Sequence, residues 1–302
     1  MTADLAWDSP VLEVKSDAPL VRRYRRLQSW YREHRLGVAP GPSGNRTVGS
    51  SVPKGLHRGL NFLTPQAWEH AEERIVEVQQ EGGTLEPDRL LRNLLSSMPM
   101  CFNIFGSLRE LEGFPELVAA VFDPEATFVG DAVCEWAPPK AEHLNDRSAF
   151  DAIVRYSTAS GQQRFIGVET KYTEPFSQPD YTNDRYESVT ASCGWFASGA
   201  YEALSQSAAK QLWRTVMLTA KYEETSGAMG RAAVLALAED ERAAAAVALV
   251  RQHMTSPDRL LLVTLEDLAD AASGSADRRV QSWAAAFAER YLYPDRLDSA
   301  SS

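Results

Sequence analysis

The sequence predicts an α/β protein, in which a mixed central β-sheet is flanked by helices and preceded by a helical N-terminal extension. Strand-like segments follow one another between residues 126 and 172, and a turn around Gly161 separates the last two. Later apolar runs alternate with helical patterns, which gives the order β-β-β-α-β-α-β-α. The predicted strands are 126–136, 149–156, 164–172, 232–238 and 260–263. We divide the chain into an N-terminal extension, residues 1–95, and a domain, residues 96–297.

The N-terminal extension is predicted to consist of helices around one long loop. Val21, Tyr24 and Leu27 recur at helical spacing, whereas residues 37–59 are rich in glycine, proline and serine. Thr64-Pro65 is typical of an N-cap followed by proline at the first helical position. The predicted helices of the whole chain are 20–36, 65–80, 87–99, 101–111, 115–122, 199–223, 242–253, 265–272 and 279–291.

Composition excludes several classes of protein. No apolar stretch of about 18 residues is present, so we expect no membrane span. The first residues lack the apolar region of a secretory signal. Cys101, Cys134 and Cys193 form no paired motif and the five histidines show no HExxH spacing, so neither a disulfide framework nor a zinc site is indicated. We therefore expect a reduced, cytoplasmic chain.

The charge is spread unevenly along the chain. A net charge of −10 argues mildly against a nonspecific nucleic-acid coat, which is usually basic. The first 60 residues, however, carry ten Lys/Arg and five Asp/Glu, and phosphate contacts need only a locally basic surface. The run that contains Arg22, Arg23, Arg25 and Arg26 is either a solvated helix face or a nucleic-acid contact.

The two strands on either side of Gly161 bring two acids together. Opposed residues of an antiparallel pair have numbers that add to a constant, and a turn centred on Ser160 opposes Asp151 to Glu169. The centre of the turn is inferred, so a slip of register would separate the two acids. Because side chains alternate along a strand, Glu169 and Lys171 point the same way. Two acids and one lysine therefore converge on one patch.

This patch predicts metal-assisted chemistry. Two close carboxylates repel each other unless one takes up a proton or a cation binds, and oxygen ligands suit Mg²⁺ or Mn²⁺. Such an ion can activate water and stabilise charge on a phosphate. Lys171 could orient or deprotonate that water, or stabilise the transition state. A short D…ExK match alone is more often a surface salt bridge, so its context decides.

Four stretches together resemble the PD-(D/E)XK nuclease superfamily, and within it a bacterial restriction-endonuclease-like group. The resemblance covers roughly residues 90–295. Phe150 stands where the name of the superfamily has proline, a departure that leaves the acid Asp151 in place. The stretches are Ser148–Ala152, Phe165–Glu174, Cys101–Gly106 and Gln211–Arg214.

The resemblance implies an activity and a role for each site residue. Asp151 and Glu169 would bind Mg²⁺ or Mn²⁺ together with the backbone carbonyl of Thr170, and Lys171 would act on the attacking water. DNA is the implied substrate, although RNA is not excluded, and the biological role would be restriction, phage defence or repair. A homodimer would suit an enzyme that cuts both strands.

Further residues each have two interpretations. Some relatives carry a glutamine on the following helix, for which Gln211 is the matching candidate and Gln206 an alternative; either could equally be a helix-surface residue. Glu135 is an additional acid for the metal site or an edge carboxylate in a salt bridge. Asn103 is expected to pack or cap a helix. The aromatic residues after the second strand either stack on unpaired bases or anchor a loop; they are Tyr172, Phe176, Tyr181 and Tyr186.

Three functions compete. The first is a metal-dependent nuclease. The second is a nucleic-acid-binding or interaction module that keeps the fold without cutting, and the intact set of Asp151, Glu169 and Lys171 argues against it. The third is some other hydrolase, but the sequence contains no GxSxG, phosphate-binding loop or metalloprotease motif.

Overall fold

The computed structural model describes residues 6–56, 58–176 and 183–299. Its strands form two sheets, a short hairpin near the N-terminus and a larger sheet at the centre of the protein. The strands are β1 (Gly41–Ser43), β2 (Arg46–Val48), β3 (Ala126–Trp136), β4 (Phe150–Thr158), β5 (Gln163–Thr170), β6 (Met229–Ala236) and β7 (Leu260–Thr264).

Helices cover both faces of the central sheet. The first continues for five residues, Arg32–Leu36, as a π-helix, and the fourth does so over Phe102–Gly106. The α-helices are α1 (Pro19–Tyr31), α2 (Pro65–Gln80), α3 (Pro87–Arg92), α4 (Ser97–Cys101), α5 (Phe114–Val121), α6 (Asp184–Ser192), α7 (Ala200–Leu204), α8 (Lys210–Ser226), α9 (Glu241–Gln252), α10 (Leu265–Ser273), α11 (Arg278–Tyr291) and α12 (Arg296–Ser299).

The central sheet is mixed, with its strands in the order β3-β4-β5-β6-β7. Strands β3, β4 and β5 pair antiparallel, and β5, β6 and β7 pair parallel. The predicted fold class is therefore confirmed, and each of these strands begins and ends within three residues of its predicted bounds.

Alternation along the strands divides the core into two hydrophobic clusters. In β4, Ala152 and Val154 belong to the cluster that includes residues of α1, α5, α10 and α11, whereas Ile153 belongs to the cluster that includes residues of α6 and α8. In β5, Val168 belongs to the first cluster and Phe165 to the second. By this period of two, odd-numbered residues of both strands face α8.

The N-terminal segment packs directly on the rest of the chain. Tyr24, Leu27 and Leu90 share one hydrophobic cluster with residues of the central sheet. Gln28, which is fully buried, donates from Nε2 to the carbonyl of Arg290 at 2.6 Å and to the hydroxyl of Tyr172 at 3.0 Å. The N-terminal extension is thus part of the structure around the sheet, and its boundary at residue 95 stays a prediction.

Several predicted segments differ from the structure, including a loop and two helices. The predicted loop 37–59 contains the β1–β2 hairpin. The helix predicted over 87–99 ends at Arg92, because the backbone after it pairs with the segment that follows β2. The amide of Leu94 donates to the carbonyl of Ser50 at 2.9 Å. The helix predicted over 199–223 is two helices, and Ser207 interrupts it by accepting a hydrogen bond from the amide of Ala209 at 3.2 Å.

Two further points complete the comparison with the sequence. Thr64 caps α2 as predicted, since its hydroxyl accepts from the amide of Ala67 at 3.1 Å. Among the described helices, none is both long and apolar enough to cross a membrane.

Gly167 in β5 leaves room for the ring of Phe150. A Cβ at Gly167 would lie 2.4 Å from Cε1 of Phe150, a side chain that is fully buried. We therefore expect Gly167→Ala to lower the free energy of unfolding by about 1–3 kcal/mol, because the ring cannot move without displacing core neighbours. Urea denaturation measures the change.

Gly130 in β3 provides the matched control. A Cβ there would meet its nearest neighbour at 3.7 Å, an ordinary contact. Gly130→Ala should change the free energy of unfolding by no more than about 0.5 kcal/mol. Equal effects of the two substitutions would contradict the packing described at Phe150.

Candidate active site

The β4–β5 hairpin has the register that the sequence predicts. Ala152 pairs with Val168 and Ile153 with Gly167, so that paired residue numbers add to 320. One residue beyond the last pair, each strand carries an acid, Asp151 on β4 and Glu169 on β5. The two acids therefore come together at one edge of the sheet.

Asp151 is held by the backbone of the neighbouring strand. Its Oδ2 accepts one hydrogen bond from the amide of Thr170 at 2.7 Å and another from the Thr170 hydroxyl at 2.8 Å. No described residue donates a hydrogen bond to Oδ1. One oxygen thus orients the carboxylate and the other is available to a ligand.

Glu169 is fixed by its own strand and by α8. Its Oε1 accepts from Lys171 Nζ at 2.7 Å and from Gln211 Nε2 at 2.5 Å, and its Oε2 accepts from the Thr215 hydroxyl at 3.1 Å. Lys171 Nζ also donates to Gln211 Oε1 at 3.2 Å. Glu169 and Lys171 are 2 % and 5 % exposed, so this network is largely buried. The predicted placement of both side chains on one side of β5 is confirmed.

Burial and the charge of neighbouring acids raise the pKa values of two acids of the site. Burial raises the pKa of Asp151 to about 7, and the charge of Glu169 adds to the effect. Burial also raises the pKa of Glu135 well above its ordinary value, with a further contribution from Asp151. A divalent cation would relieve this repulsion, and carboxylate oxygens are the donors that hard cations prefer.

The donor set fits a magnesium-type ion that keeps several of its waters. In the described part of the chain, no three His, Cys, Asp or Glu side chains are grouped as a ready-made metal site. Two carboxylates with water and substrate oxygens are a usual set for Mg²⁺. The roles of Thr170 and Glu135 as ligands stay predictions.

Lys171 keeps its proton in this surrounding. Burial opposes the charge, but Glu169 and Asp151 attract it, and the net effect raises the pKa of Lys171 above its ordinary value. The ring of Phe176 lies under the ammonium, with 4.9 Å from Nζ to the ring centroid. In the metal-free protein, Lys171 is thus a cation that can donate hydrogen bonds.

These residues line a cavity of about 850 Å³. Glu135, Asp151, Glu169 and Lys171 come from the central sheet and Gln211 from α8. The N-terminal region forms much of the remaining wall, where three arginines and several serines reach the cavity: Arg25, Arg89, Arg92, Ser50, Ser51, Ser96 and Ser97.

A sequence model of the PD-(D/E)XK nuclease superfamily matches residues 15–293, nearly the whole chain. The chain belongs to the PD-(D/E)XK nuclease superfamily. The match begins far upstream of the resemblance at residues 90–295 and includes α1, which contributes Arg25 to the cavity wall. No curated protein and no solved structure matches the chain.

The four arginines predicted to contact nucleic acid have different surroundings in this PD-(D/E)XK protein. Arg23 forms ion pairs with Glu239 and Asp295, and Arg22 donates to the carbonyl of Asp17. The guanidinium of Arg26 lies over the Trp7 ring. Among the four, Arg25 alone lines the cavity. A nucleic-acid contact of this group stays a prediction, and the cavity brings only one of its members to the acids.

The glutamine candidates are separated by geometry. Gln211 contacts both Glu169 and Lys171. Gln206 is exposed in the break between α7 and α8 and does not line the cavity. Thr215 was missed from the sequence, although it lies four residues after Gln211 and hence on the same face of α8.

The predicted aromatic residues mostly serve packing. Tyr172 is buried and donates to the carbonyl of Tyr291 at 3.2 Å, and Tyr186 donates to Asp146. Tyr181 lies outside the described residues. Asn103 is fully buried and donates to the Tyr291 hydroxyl at 2.7 Å, so its predicted packing role is confirmed.

Two cysteines that are far apart in the sequence meet behind the site. The Sγ atoms of Cys101 and Cys134 lie 3.9 Å apart as free thiols, and Cys101 donates to the carbonyl of Asp151 at 3.1 Å. They contribute to the buried support of the strand that carries Asp151.

The raised pKa of Asp151 predicts how the stability of the metal-free protein depends on pH. The folded-state value of about 7 exceeds the ordinary 3.8, so the stabilising contribution is complete below about pH 4 and lost as the pH rises to 7. In EDTA, Asp151→Asn should therefore gain stability relative to the unsubstituted protein between pH 4 and pH 8, by roughly 1–4 kcal/mol. Urea denaturation across this pH range tests it.

Asp123→Asn is the control of opposite sign. Burial opposes the charge of Asp123, but hydrogen bonds from Tyr156 at 2.6 Å and Arg164 at 2.8 Å lower its pKa. The contribution of Asp123 to folding stability is present above the ordinary pKa of an aspartate and is lost as the pH falls. Asp123→Asn should therefore lower the free energy of unfolding most near neutral pH. A flat difference between Asp151→Asn and the unsubstituted protein would contradict the described electrostatics.

Proposed function

We propose that this protein is a metal-dependent nuclease that hydrolyses phosphodiester bonds in DNA, with Mg²⁺ or Mn²⁺ as its cofactor. The observation that supports this most is the convergence of Asp151, Glu169 and Lys171 at one end of a cavity in a chain of a nuclease superfamily. DNA rather than RNA rests on the family resemblance, and RNA is one arm of the test below.

Asp151 and Glu169 hold the metal ion in this proposal. Asp151 offers Oδ1, while Thr170 holds Oδ2. Glu169 is kept in place by Gln211 and Thr215, so that its carboxylate is positioned before any ligand arrives. When bound, the ion supplies Lewis-acid stabilisation of the phosphate and a more acidic water.

Lys171 acts as a hydrogen-bond donor in this proposal. In the metal-free protein, Glu169 and Asp151 raise the pKa of Lys171, so its ammonium is charged and can donate hydrogen bonds near neutral pH. It can orient the attacking water by donating a hydrogen bond to the water oxygen, or it can stabilise the negative charge that builds on the phosphate oxygens. Of the roles considered from the sequence, this proposal adopts orientation of the water and charge stabilisation.

The proposal extends to the setting of the reaction. We place the protein in the cytoplasm as an enzyme of restriction, phage defence or repair. A homodimer would present two such cavities to the two strands of a duplex.

Lys171→Met tests the activity. Purified protein is incubated with Mg²⁺ or Mn²⁺ and plasmid, linear duplex, single-stranded DNA or RNA, with EDTA as the metal-free reference. We expect DNA cleavage that EDTA abolishes and that Lys171→Met lowers at least about 100-fold, since a donor to a developing charge is lost.

Lys221→Met is the matched lysine control. Lys221 also lies partly buried in a salt bridge, to Glu224, but it does not line the cavity. The Lys221→Met variant should cleave DNA at the rate of the unsubstituted protein. Cleavage that survives EDTA or Lys171→Met would contradict the mechanism. A folded, metal-loaded protein that cuts no substrate would favour the silent binding module.

A further inference from the structure

Arg89 on α3 presents a guanidinium to the cavity beside the acids. Its Nε donates to the Ser96 hydroxyl at 2.7 Å and its Nη2 donates to Glu174 Oε1 at 3.1 Å. No described residue accepts a hydrogen bond from Nη1. The side chain is 38 % exposed, so the free edge of the group is accessible to a ligand.

Glu174 ties Arg89 to the end of β5. Its Oε1 also accepts from the Ser97 amide at 2.8 Å and the Ser97 hydroxyl at 2.7 Å, and its Oε2 accepts from the amides of Tyr172 and Thr173 at 3.3 and 3.0 Å. Burial opposes the charge of Glu174, but the hydrogen bonds from Ser97 outweigh it and lower the pKa. Through these hydrogen bonds, Glu174 fixes Arg89 relative to Glu169 and Lys171, which lie on the same stretch of chain.

The other two arginines of the described cavity wall have no comparable free edge. Arg92 donates to the carbonyls of Val52 at 3.1 Å and Pro42 at 2.9 Å, and its Nη1 lies 3.1 Å from Asp88. All three nitrogens of Arg25 are engaged by Asp17 and Ser50.

The acids of the cavity oppose the approach of an anionic substrate, and a cation on the cavity wall reduces this repulsion. Four acids line the cavity near the site, Glu135, Asp151, Glu169 and Glu174. A phosphodiester that approaches them is repelled unless cations receive it, and a planar guanidinium with a free edge matches two phosphate oxygens.

We propose that Arg89 binds a non-bridging phosphate oxygen of the nucleic-acid backbone through its Nη1 edge and so seats the strand against Asp151 and Glu169. This inference rests on the proposed nuclease function. It assigns the phosphate contact to α3 rather than to the arginine run of α1.

Arg89→Gln tests the contact directly. The binding assay uses the Lys171→Met background with Mg²⁺, so that the probe stays intact, and measures fluorescence anisotropy of a fluorescein-labelled oligonucleotide, single-stranded or duplex. Arg89→Gln should weaken binding about tenfold, as expected for one charged hydrogen-bonding group. It should also reduce the slope of log affinity against log salt concentration by about 0.7–0.9, the loss of one phosphate contact.

Two further variants separate contact from structure. Arg89→Lys keeps the charge but not the planar edge, so it should retain the salt slope and bind more weakly than the parent. Arg278→Gln removes an exposed arginine of α11 that does not line this cavity and should leave both affinity and slope unchanged. Thermal unfolding of each variant shows whether it is folded.

Each outcome decides the inference. If the unsubstituted protein cuts nucleic acid, but folded Arg89→Gln and Arg89→Lys bind with the parent affinity and slope, Arg89 does not contact phosphate and the nuclease function stands. If Arg89→Gln is unfolded, an Arg89→Lys variant that binds as tightly as its parent overturns the proposal. If the unsubstituted protein neither binds nor cuts any nucleic acid, the proposed function fails and this inference fails with it.

Discussion

The register of the β4–β5 hairpin is the constraint on which the site depends. Pairing that ends at Ala152 and Val168 brings the next residue of each strand, Asp151 and Glu169, to the same edge of the sheet. Thr170 then bonds Asp151 with both its amide and its hydroxyl, so a side chain continues the contact where the backbone ladder stops. A slip by one residue would place the two acids on opposite faces of the sheet.

The same register brings two acids close together in a buried site, and hydrogen bonds from the surrounding residues hold both carboxylates in position. Glu169 receives hydrogen bonds from its own strand and from α8, whereas Asp151 stays poorly compensated and has a raised pKa. Such an arrangement costs folding stability and is typical of sites that bind a charged ligand. The N-terminal region forms part of the cavity wall, where Arg89 contacts Glu174 at 3.1 Å.

The sequence predicted what depends on local pattern and missed what depends on distant contacts. The order of strands and helices along the chain, the Thr64 cap and the register around Ser160 follow from hydrophobic pattern, capping and turn chemistry. The end of α3 at Arg92 does not, because it is caused by backbone bonds with residues about 40 positions earlier. Arg89 likewise carries no local signal, since its place in the site depends on Glu174, 85 residues later in the chain. The arginine run of α1 was conspicuous in the sequence, yet only Arg25 reaches the cavity.

The central claim is that Asp151 and Glu169 jointly bind one divalent cation. Crystals grown with Mn²⁺ and measured near the manganese absorption edge test it most directly, since anomalous scattering locates the metal independently of activity. The account predicts one strong peak within coordination distance of a carboxylate oxygen from each residue, and its loss in crystals of Asp151→Asn. An anomalous map with no peak between these two carboxylates, at a Mn²⁺ concentration that supports cleavage, would contradict the account.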